Sequence, residues 1–429
     1  MKKILVLLII VFPGIVKAQD AITLTDCYKA AMENHPLAKQ KNIESELWRL
    51  SDLNLASAWY PTLDAGANIM YNTSVTDMNS IIGSLPIPGL PDDIGGMPHD
   101  QYKITLDVNQ LIWDGGAIKN NRTYEEKSRL ISEQDIEVEL YKVRESINNT
   151  FFNLILLKRQ QKLLSLYSEL IDSKLASTES AIENGLLLST DRNSIVAEKI
   201  KLKQEIRGTN INITALCNLL SDLTGLSINS TTSLIIPSYE LSPDESISRP
   251  ELLALDLRMD KLEAGKAIIK SSRMPKAFGF ATLGYGNPPG NDFFTDEFAT
   301  YALIGAGLKW NIFDWNKSKR NQQKIDLSLT TISNQKNNVE DSFERALINK
   351  SAEIESLESM IETDKELIEL RKSITLTSES QFNNGTITST EYMSILNLEK
   401  EAILSSTIHE VSLAKSRIEY LNISGREIK

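Results

Sequence analysis

The chain repeats itself. Asn184-Gly185 returns as Asn384-Gly385, Ser189-Thr190-Asp191 as Ser389-Thr390-Glu391, Trp113-Asp114 as Phe313-Asp314 and Thr224-Gly225 as Ser424-Gly425, each time 200 positions on. Upstream, His35-Pro36 pairs with Arg249-Pro250 and Pro61 with Pro275, 214 positions on. The 14-residue difference falls between Pro61 and Trp113, in the stretch rich in glycine and proline from Gly83 to Pro98. A length change confined to one segment is what a surface loop tolerates. A tandem repeat restricts the fold to one in which each element has a counterpart in the other half.

Both halves read in the same order. A helical pattern at 22–57, and at 250–272, is closed by Pro61 or Pro275. Two strand patterns follow. Leu63, Ala65, Ala67, Ile69 and Tyr71 alternate with Thr62, Asp64, Gly66 and Asn68, and Tyr102, Ile104, Leu106 and Val108 with Lys103, Thr105, Asp107 and Asn109. In the second half Ala302, Ile304, Ala306, Leu308 and Trp310 share a face, whereas 277–286 is apolar and glycine-rich on both faces, which leaves its orientation open. Strands of about 10 residues with aromatics near their ends suit a membrane β-barrel. A half-buried soluble sheet has the same period.

The N-terminal export signal and the loop pattern tip the reading toward the barrel, and the long helical patterns decide the architecture. Ala117 to Asn184 and Lys317 to Asn384 each hold 68 residues without proline, enough for about 100 Å of helix. Leu140, Val143, Ile147, Phe151, Leu154 and Leu157 step by three and four, and Leu163, Tyr167, Leu170 and Leu175 continue the stripe, the pattern of a coiled-coil or bundle seam. Gly185 and Gly385 sit where each helix must turn back, and Ser189 or Thr190, and Ser389 or Thr390, are available as N-caps for the returning helix. Four strands cannot close a membrane barrel, which needs about 8 or more. The chain is therefore expected to assemble with copies of itself.

The organisation expected is a signal peptide at 1–18; a first repeat at 19–225, with strands near 62–71 and 101–112 and helices at 117–184 and 188–224; and a linker at 226–248. A second repeat follows at 249–425, with strands near 277–286 and 300–312 and helices at 317–384 and 388–422, then a tail at 426–429. Lys2 and Lys3, the apolar run Ile4 to Phe12 and the small residues of Val16-Lys17-Ala18 mark a secretory signal cut after Ala18.

Composition removes whole classes of function. Past the N-terminus no run reaches the ~18 apolar residues a spanning helix needs, which excludes a polytopic helical membrane protein. The net charge of −11 argues against nucleic acid. Two cysteines, Cys27 and Cys217, provide no disulfide framework; they are read as buried free thiols, a disulfide being the alternative. Three histidines, His35, His99 and His409, are not spaced as metal ligands. No nucleophile elbow, zinc-protease signature or phosphate-binding glycine loop occurs, and Gly284-Tyr285-Gly286 precedes no helix. No enzyme, cofactor or metal is expected.

The segments Ile22 to Pro36 (ITLTDCYKAAMENHP), Gln110 to Gly116 (QLIWDGG), Asn311 to Trp315 (NIFDW), Asn184 to Asp191 (NGLLLSTD) and Asn384 to Glu391 (NGTITSTE) resemble the TolC family of outer-membrane efflux proteins across essentially the whole mature chain. The resemblance implies a mixed α/β membrane protein. It implies a homotrimer with a 12-stranded β-barrel, four strands per chain, continuous with a long periplasmic α-helical barrel of coiled-coil hairpins. It implies a passive exit duct in the cell outer membrane of a Gram-negative bacterium, in contact with outer-membrane lipid. Such a duct is docked to an inner-membrane RND or ABC-type pump through a periplasmic adaptor (membrane fusion) protein, in tripartite efflux or type I secretion.

It also implies roles for residues at the hairpin tips. Glu391 and Asp191, six residues past the tip glycines, are placed at the periplasmic gate, where rings of carboxylates bind cations and resist close packing. The plainer alternative makes both first-turn acids favoured by the helix dipole. Gly185, Leu186, Gly385 and Thr386 are placed where the adaptor docks, against the plainer reading of turn chemistry alone. Ile387 and Ser394 stand where the best-known member has an arginine and an aspartate of a closing network, so closure is expected to rely on packing rather than a salt-bridge latch. Trp113-Asp114-Gly115 and Phe313-Asp314-Trp315 are read as strand-to-helix passages, the aspartates capping the long helices. The competing function is a periplasmic coiled-coil tether with a small sheet and no channel.

Overall fold

The computed structural model of the chain describes residues 21–77, 80, 82, 88–89, 96–237, 239, 246–292 and 295–426. The expected signal peptide lies outside the described residues, as do most of the loop at Gly83 to Pro98 and the end of the tail. The order is β1 (Ile22–Thr23), α1 (Leu24–Asn34), α2 (Pro36–Ser57), β2 (Thr62–Tyr71), β3 (Asp100–Trp113), α3 (Ala117–Glu183), α4 (Ser189–Thr224), β4 (Leu234–Ile235), α5 (Pro250–Ser271), β5 (Lys276–Asn287), β6 (Ala299–Lys309), α6 (Lys317–Asn383) and α7 (Ser389–Ser424). Two helices of 67 residues and two of 36 dominate the chain. No helix is long and apolar enough to cross a membrane among the described residues.

The chain divides into two units, and α3 and α6 each run from one into the other. The first unit holds residues up to Gln40, Asp135–Leu252 and Asn337–Lys429. It is a helical assembly with a short parallel pair, Ile22↔Leu234 and Thr23↔Ile235. Thr23 caps α1: its hydroxyl accepts from Asp26 N at 3.1 Å and Asp26 Oδ2 accepts from Thr23 N at 3.0 Å. One core joins Leu24 and Cys27 of α1, Ile147, Phe151 and Leu154 of α3, Ile213 and Leu220 of α4, and Ile418 and Leu421 of α7. The seam of three-and-four steps on α3 is thus the face that α3 buries. Cys27 and Cys217 are both free and buried in this core, and desolvation pushes the Cys27 thiol up to about 12. A second core near the tips joins Leu164, Tyr167 and Ile171 of α3 to Ile195 and Leu202 of α4, Phe382 of α6, and Tyr392, Met393 and Leu396 of α7.

The second unit, Lys41–Gln134 and Leu253–Lys336, holds one antiparallel sheet of order β2-β3-β5-β6. Asp114 ends β3 and starts α3, its carboxylate accepting from Gly116 N at 2.8 Å and Ile118 N at 2.5 Å. Asp314 does the same for α6, accepting from Ser318 N at 2.9 Å. Both passages need left-handed backbone, which Gly115 and Gly116 provide in one case and Trp315 and Asn316 in the other. Gly115 is further constrained, because a Cβ there would lie 2.3 Å from Met274 Cβ.

Candidate functional site

Two features within the separate units are candidates: the two faces of the sheet, and the tips of the helical hairpins.

Cross-strand partners share a face of a sheet. The register Leu63↔Val108, Ala65↔Leu106, Ala67↔Ile104 and Ile69↔Tyr102 continues as Ile104↔Tyr285, Leu106↔Leu283 and Val108↔Ala281, then Leu283↔Ala302, Ala281↔Ile304 and Ala277↔Leu308. Every residue of that set is apolar or tyrosine, so the face is apolar across the middle of all four strands, with Gln110 toward one end and Asp100, Asn287 and Thr300 at the other. It is also uncovered within the chain: Ile69 is 78% and Ile304 86% exposed. The orientation of β5, ambiguous in its sequence, is fixed by pairing. Ala281, Leu283 and Tyr285 join the apolar face, whereas Phe278, Phe280 and Thr282 join the other.

That other face carries Asp64 and Asn68 of β2, Lys103, Thr105, Asp107 and Asn109 of β3, and Thr282 of β5. Asp107 accepts from Thr105 Oγ1 at 2.8 Å and from Thr282 Oγ1 at 2.5 Å. The aromatic rings on this face lie over glycines. A Cβ on Gly305 would meet Phe280 Cζ at 2.5 Å, and one on Gly307 would meet Phe278 Cζ at 2.5 Å. At the sheet end nearest the long helices, Trp59, Tyr60, Trp113, Trp310, Phe313 and Trp315 are exposed; at the far end so are Tyr71, Tyr102, Tyr285 and Phe298. An apolar band between two aromatic belts is the lipid-facing signature of a membrane barrel. The edges β2 and β6 each have only one strand partner among the described residues.

At the tips, Gly185 (φ +74°) and Gly385 (φ +72°) adopt the left-handed conformation that ends each long helix. Gly185 N donates to Ile182 O and Leu186 N to Ala181 O, each at 2.9 Å; Gly385 N and Thr386 N repeat this with Phe382 O and Gln381 O. Leu186 is 76% exposed. The N-caps are Leu188 and Thr388, one residue before the serines expected. The chain is still extended at 188 and 388, which makes Ser189 and Ser389 the first helical residues. Asp191 and Glu391 then fall at the third helical position, where a carboxylate reaches back to the cap.

Glu391 is exposed, and its carboxylate accepts from Thr388 N at 2.9 Å and Thr388 Oγ1 at 3.0 Å. The backbone bond from Thr388, then the hydroxyl bond, hold it below the ordinary carboxylate range. Asp191 does more. It accepts from Leu188 N at 3.1 Å and, from the other hairpin, from Ser389 N at 3.3 Å. Burial works to raise its carboxyl, but the bonds from Ser389 and Leu188 outweigh it and hold it low. Ser194 and Thr390 hydroxyls meet at 3.1 Å beside this contact.

No protein-family model and no curated protein sequence matches the chain. Solved structures do. CusC, described by conformational changes accompanying folding and transmembrane channel formation, is 10% identical over 94% of this chain and 92% of its own, at a TM-score of 0.71. The outer membrane protein VceC of Vibrio cholerae is 13% identical over 95% of this chain and 97% of its own, at 0.66. The CmeC outer membrane channel of Campylobacter jejuni is 14% identical over 94% and 85%, at 0.62. The chain has the TolC-type outer-membrane channel fold. The likeness extends over nearly the full length of each partner, so both the sheet and the long hairpins belong to it.

Within this channel fold, the residues that the sequence reading missed are charged. Lys174 of α3, nearly buried, forms an ion pair with Glu379 of α6 and lies 5.7 Å from the centroid of the Tyr392 ring, which stacks on Phe382 at 5.3 Å. Lys400 of α7, also buried, sits 3.6 Å from Glu205 and 4.0 Å from Glu198 of α4. Ion pairs therefore do join the two hairpins, at positions other than 387 and 394. Ile387 packs against the tip core and Ser394 lines a cleft with Ser194.

Proposed function

We propose that the chain is a passive exit duct of the outer membrane. Three copies pair β2 of one with β6 of the next into a closed 12-stranded barrel, and their hairpins form a periplasmic α-helical tunnel. The observation that carries this is the four-stranded sheet with one exposed face that is apolar through its middle band, a second face that carries the charged and amide side chains, and two edges without a strand partner among the described residues. Lipid is the solvent that such a face suits, and lipid does not tolerate unpaired edges. The helices agree: Leu327, Ile348, Leu370 and Leu376 along α6 are each exposed by 63% or more, an apolar surface suited to neighbouring copies.

Substrate reaches the duct from an inner-membrane pump of the RND or ABC type through a periplasmic adaptor. The adaptor docks at the tips, at Gly185, Leu186, Gly385 and Thr386. Asp191 and Glu391 form the gate, and adaptor docking shifts the hairpins from a narrow to a splayed packing. No covalent chemistry is involved, and the two halves are an internal repeat at 19–225 and 249–425. CusC, VceC and CmeC support the reading through their shared fold. The tether alternative leaves the exposed apolar sheet face without a purpose.

The test is the mass of the species extracted from membranes by detergent, measured by light scattering with the detergent subtracted. A mass near three chains is expected. A soluble monomer or dimer overturns the duct.

A further inference from the structure

A groove of about 630 Å³ lies at the foot of the sheet, wholly within the second unit, between α2, the end of β3 and the start of α3. Its walls include Trp48, Trp59 and Trp113, and its charged groups include Lys119, Arg122 and Glu126. The volume is that of a small-molecule site. Its position relative to the membrane follows from register. Trp113 pairs with Ala277, and Ala277 with Leu308, so the Trp113 indole belongs to the apolar face at the end nearest the helices. On the barrel reading, on which this inference rests, that is where the hydrocarbon ends and phospholipid headgroups begin.

The charges are of both signs. Arg122 is held by Asp52, its Nε donating to Oδ1 at 2.5 Å and its Nη2 to Oδ2 at 2.8 Å, which leaves Nη1 outside that pair. Lys119 and Glu126, both exposed, have no ion-pair partner among the described residues. The Trp48 ring already carries the Arg129 guanidinium, 5.0 Å from its centroid, which leaves Trp59 and Trp113 as the open aromatic surface. An aromatic wall with a cation and a carboxylate that each lack an ion-pair partner fits a zwitterion better than a simple anion or cation.

We propose that this groove binds the headgroup of a phosphatidylethanolamine, its phosphate against Lys119 and Arg122 and its ammonium against Glu126 and the exposed Trp59 and Trp113 rings. An ammonium over indole is favourable, and its N–H groups add a charge-assisted bond to Glu126 that a choline headgroup lacks.

The experiment is native mass spectrometry of the full chain, extracted in mild detergent and titrated separately with phosphatidylethanolamine, phosphatidylglycerol and phosphatidylcholine. Phosphatidylethanolamine is expected to be retained about tenfold better than the other two, because phosphatidylglycerol lacks the ammonium and phosphatidylcholine lacks the charged bond to Glu126. Because replacing Trp113 endangers the sheet, the variant is the exposed pair Lys119→Gln with Glu126→Gln. It is expected to retain phosphatidylethanolamine no better than phosphatidylcholine. Equal retention of the three lipids, or unchanged selectivity in the double variant, overturns the proposal. So does equal binding of free phosphoethanolamine at the same concentration, which makes the ligand a soluble metabolite. A chain absent from the membrane fraction instead overturns the duct itself, before any lipid is added.

Discussion

The Lys174 ammonium, rooted on the first hairpin, meets the Glu379 carboxylate of the second within 5.7 Å of the Tyr392 ring centroid. Only 11% of the lysine side chain and 34% of the glutamate remain exposed. Removing one partner leaves a poorly hydrated charge, a loss of about 1–3 kcal/mol after allowance for the solvent that reaches Glu379. Lys174→Met is therefore expected to loosen the hairpins and raise conductance in planar bilayers, and the charge-swapped pair Lys174→Glu with Glu379→Lys to restore it. Identical conductance in all three forms removes this pair from gating.

Glu391 tests the role of the tip carboxylates. Its folded pKa is depressed by Thr388, so it stays ionised as pH falls through the ordinary carboxylate range near ~4.3. Cation block of the duct is expected to persist across that range and to fade only below it. The bonds to Thr388 contribute stability above the unfolded pKa, and that contribution is likewise lost as pH falls through the depressed folded value. Glu391→Ala, which leaves Asp191 in place, is expected to weaken the block at neutral pH; titrating conductance with a divalent cation in both forms decides it.

The two returning helices begin unequally. Thr388 closes a full capping box with Glu391, whereas Leu188 has no side-chain acceptor, and only Asp191 reaches back. Leu188→Ser adds the missing acceptor at a position 71% exposed, so little packing is lost. A gain of about 0.5–1 kcal/mol at the start of α4 is expected, read as roughly threefold slower amide exchange at Asp191. Exchange that does not slow rules out the missing acceptor as the difference between the tips.

Gly305 and Gly307 hold Phe280 and Phe278 flat against the polar face of the sheet. Gly305→Ala puts a Cβ 2.5 Å from Phe280 Cζ and forces the ring away. The expected cost is about 1–3 kcal/mol, seen as loss of the folded band at a lower temperature in heat-modifiability gels. Adding Phe280→Leu is expected to recover part of it. A single variant that melts like the parent shows that the ring had room to move.

How far the sequence alone reached can be traced residue by residue. A mixed helical and sheet chain was legible, because period-two alternation at Tyr102 to Val108 and three-and-four steps at Leu140 to Leu157 are local signals; the outer-membrane channel fold rested on the family resemblance of segments such as Asn184 to Asp191 and Asn384 to Glu391. The faces of β5 were not. Phe278 and Phe280 are apolar yet lie on the polar side, since the glycines that receive them are on β6 and only pairing reveals the match. The caps lie one residue earlier than the serines, at 188 because leucine carries no capping signal and at 388 because Thr388, Ser389 and Thr390 are all capping residues and the sequence does not choose among them. The hairpin ion pairs were out of reach: Lys174 and Glu379 are 205 positions apart, and with 46 basic and 57 acidic residues sequence alone cannot choose partners.

The two free edges of the sheet also have a consequence for the cell. In the proposed trimer a protomer, its edge strands satisfied only by other protomers, would have no finished state of its own, so its yield would depend on how many siblings are inserted nearby at the same time. A subunit altered at β6 alone would still offer a sound β2, be accepted on one side, and stall the ring it had joined. Faulty copies would then poison good ones, and a single damaged allele expressed beside an intact one would act dominantly.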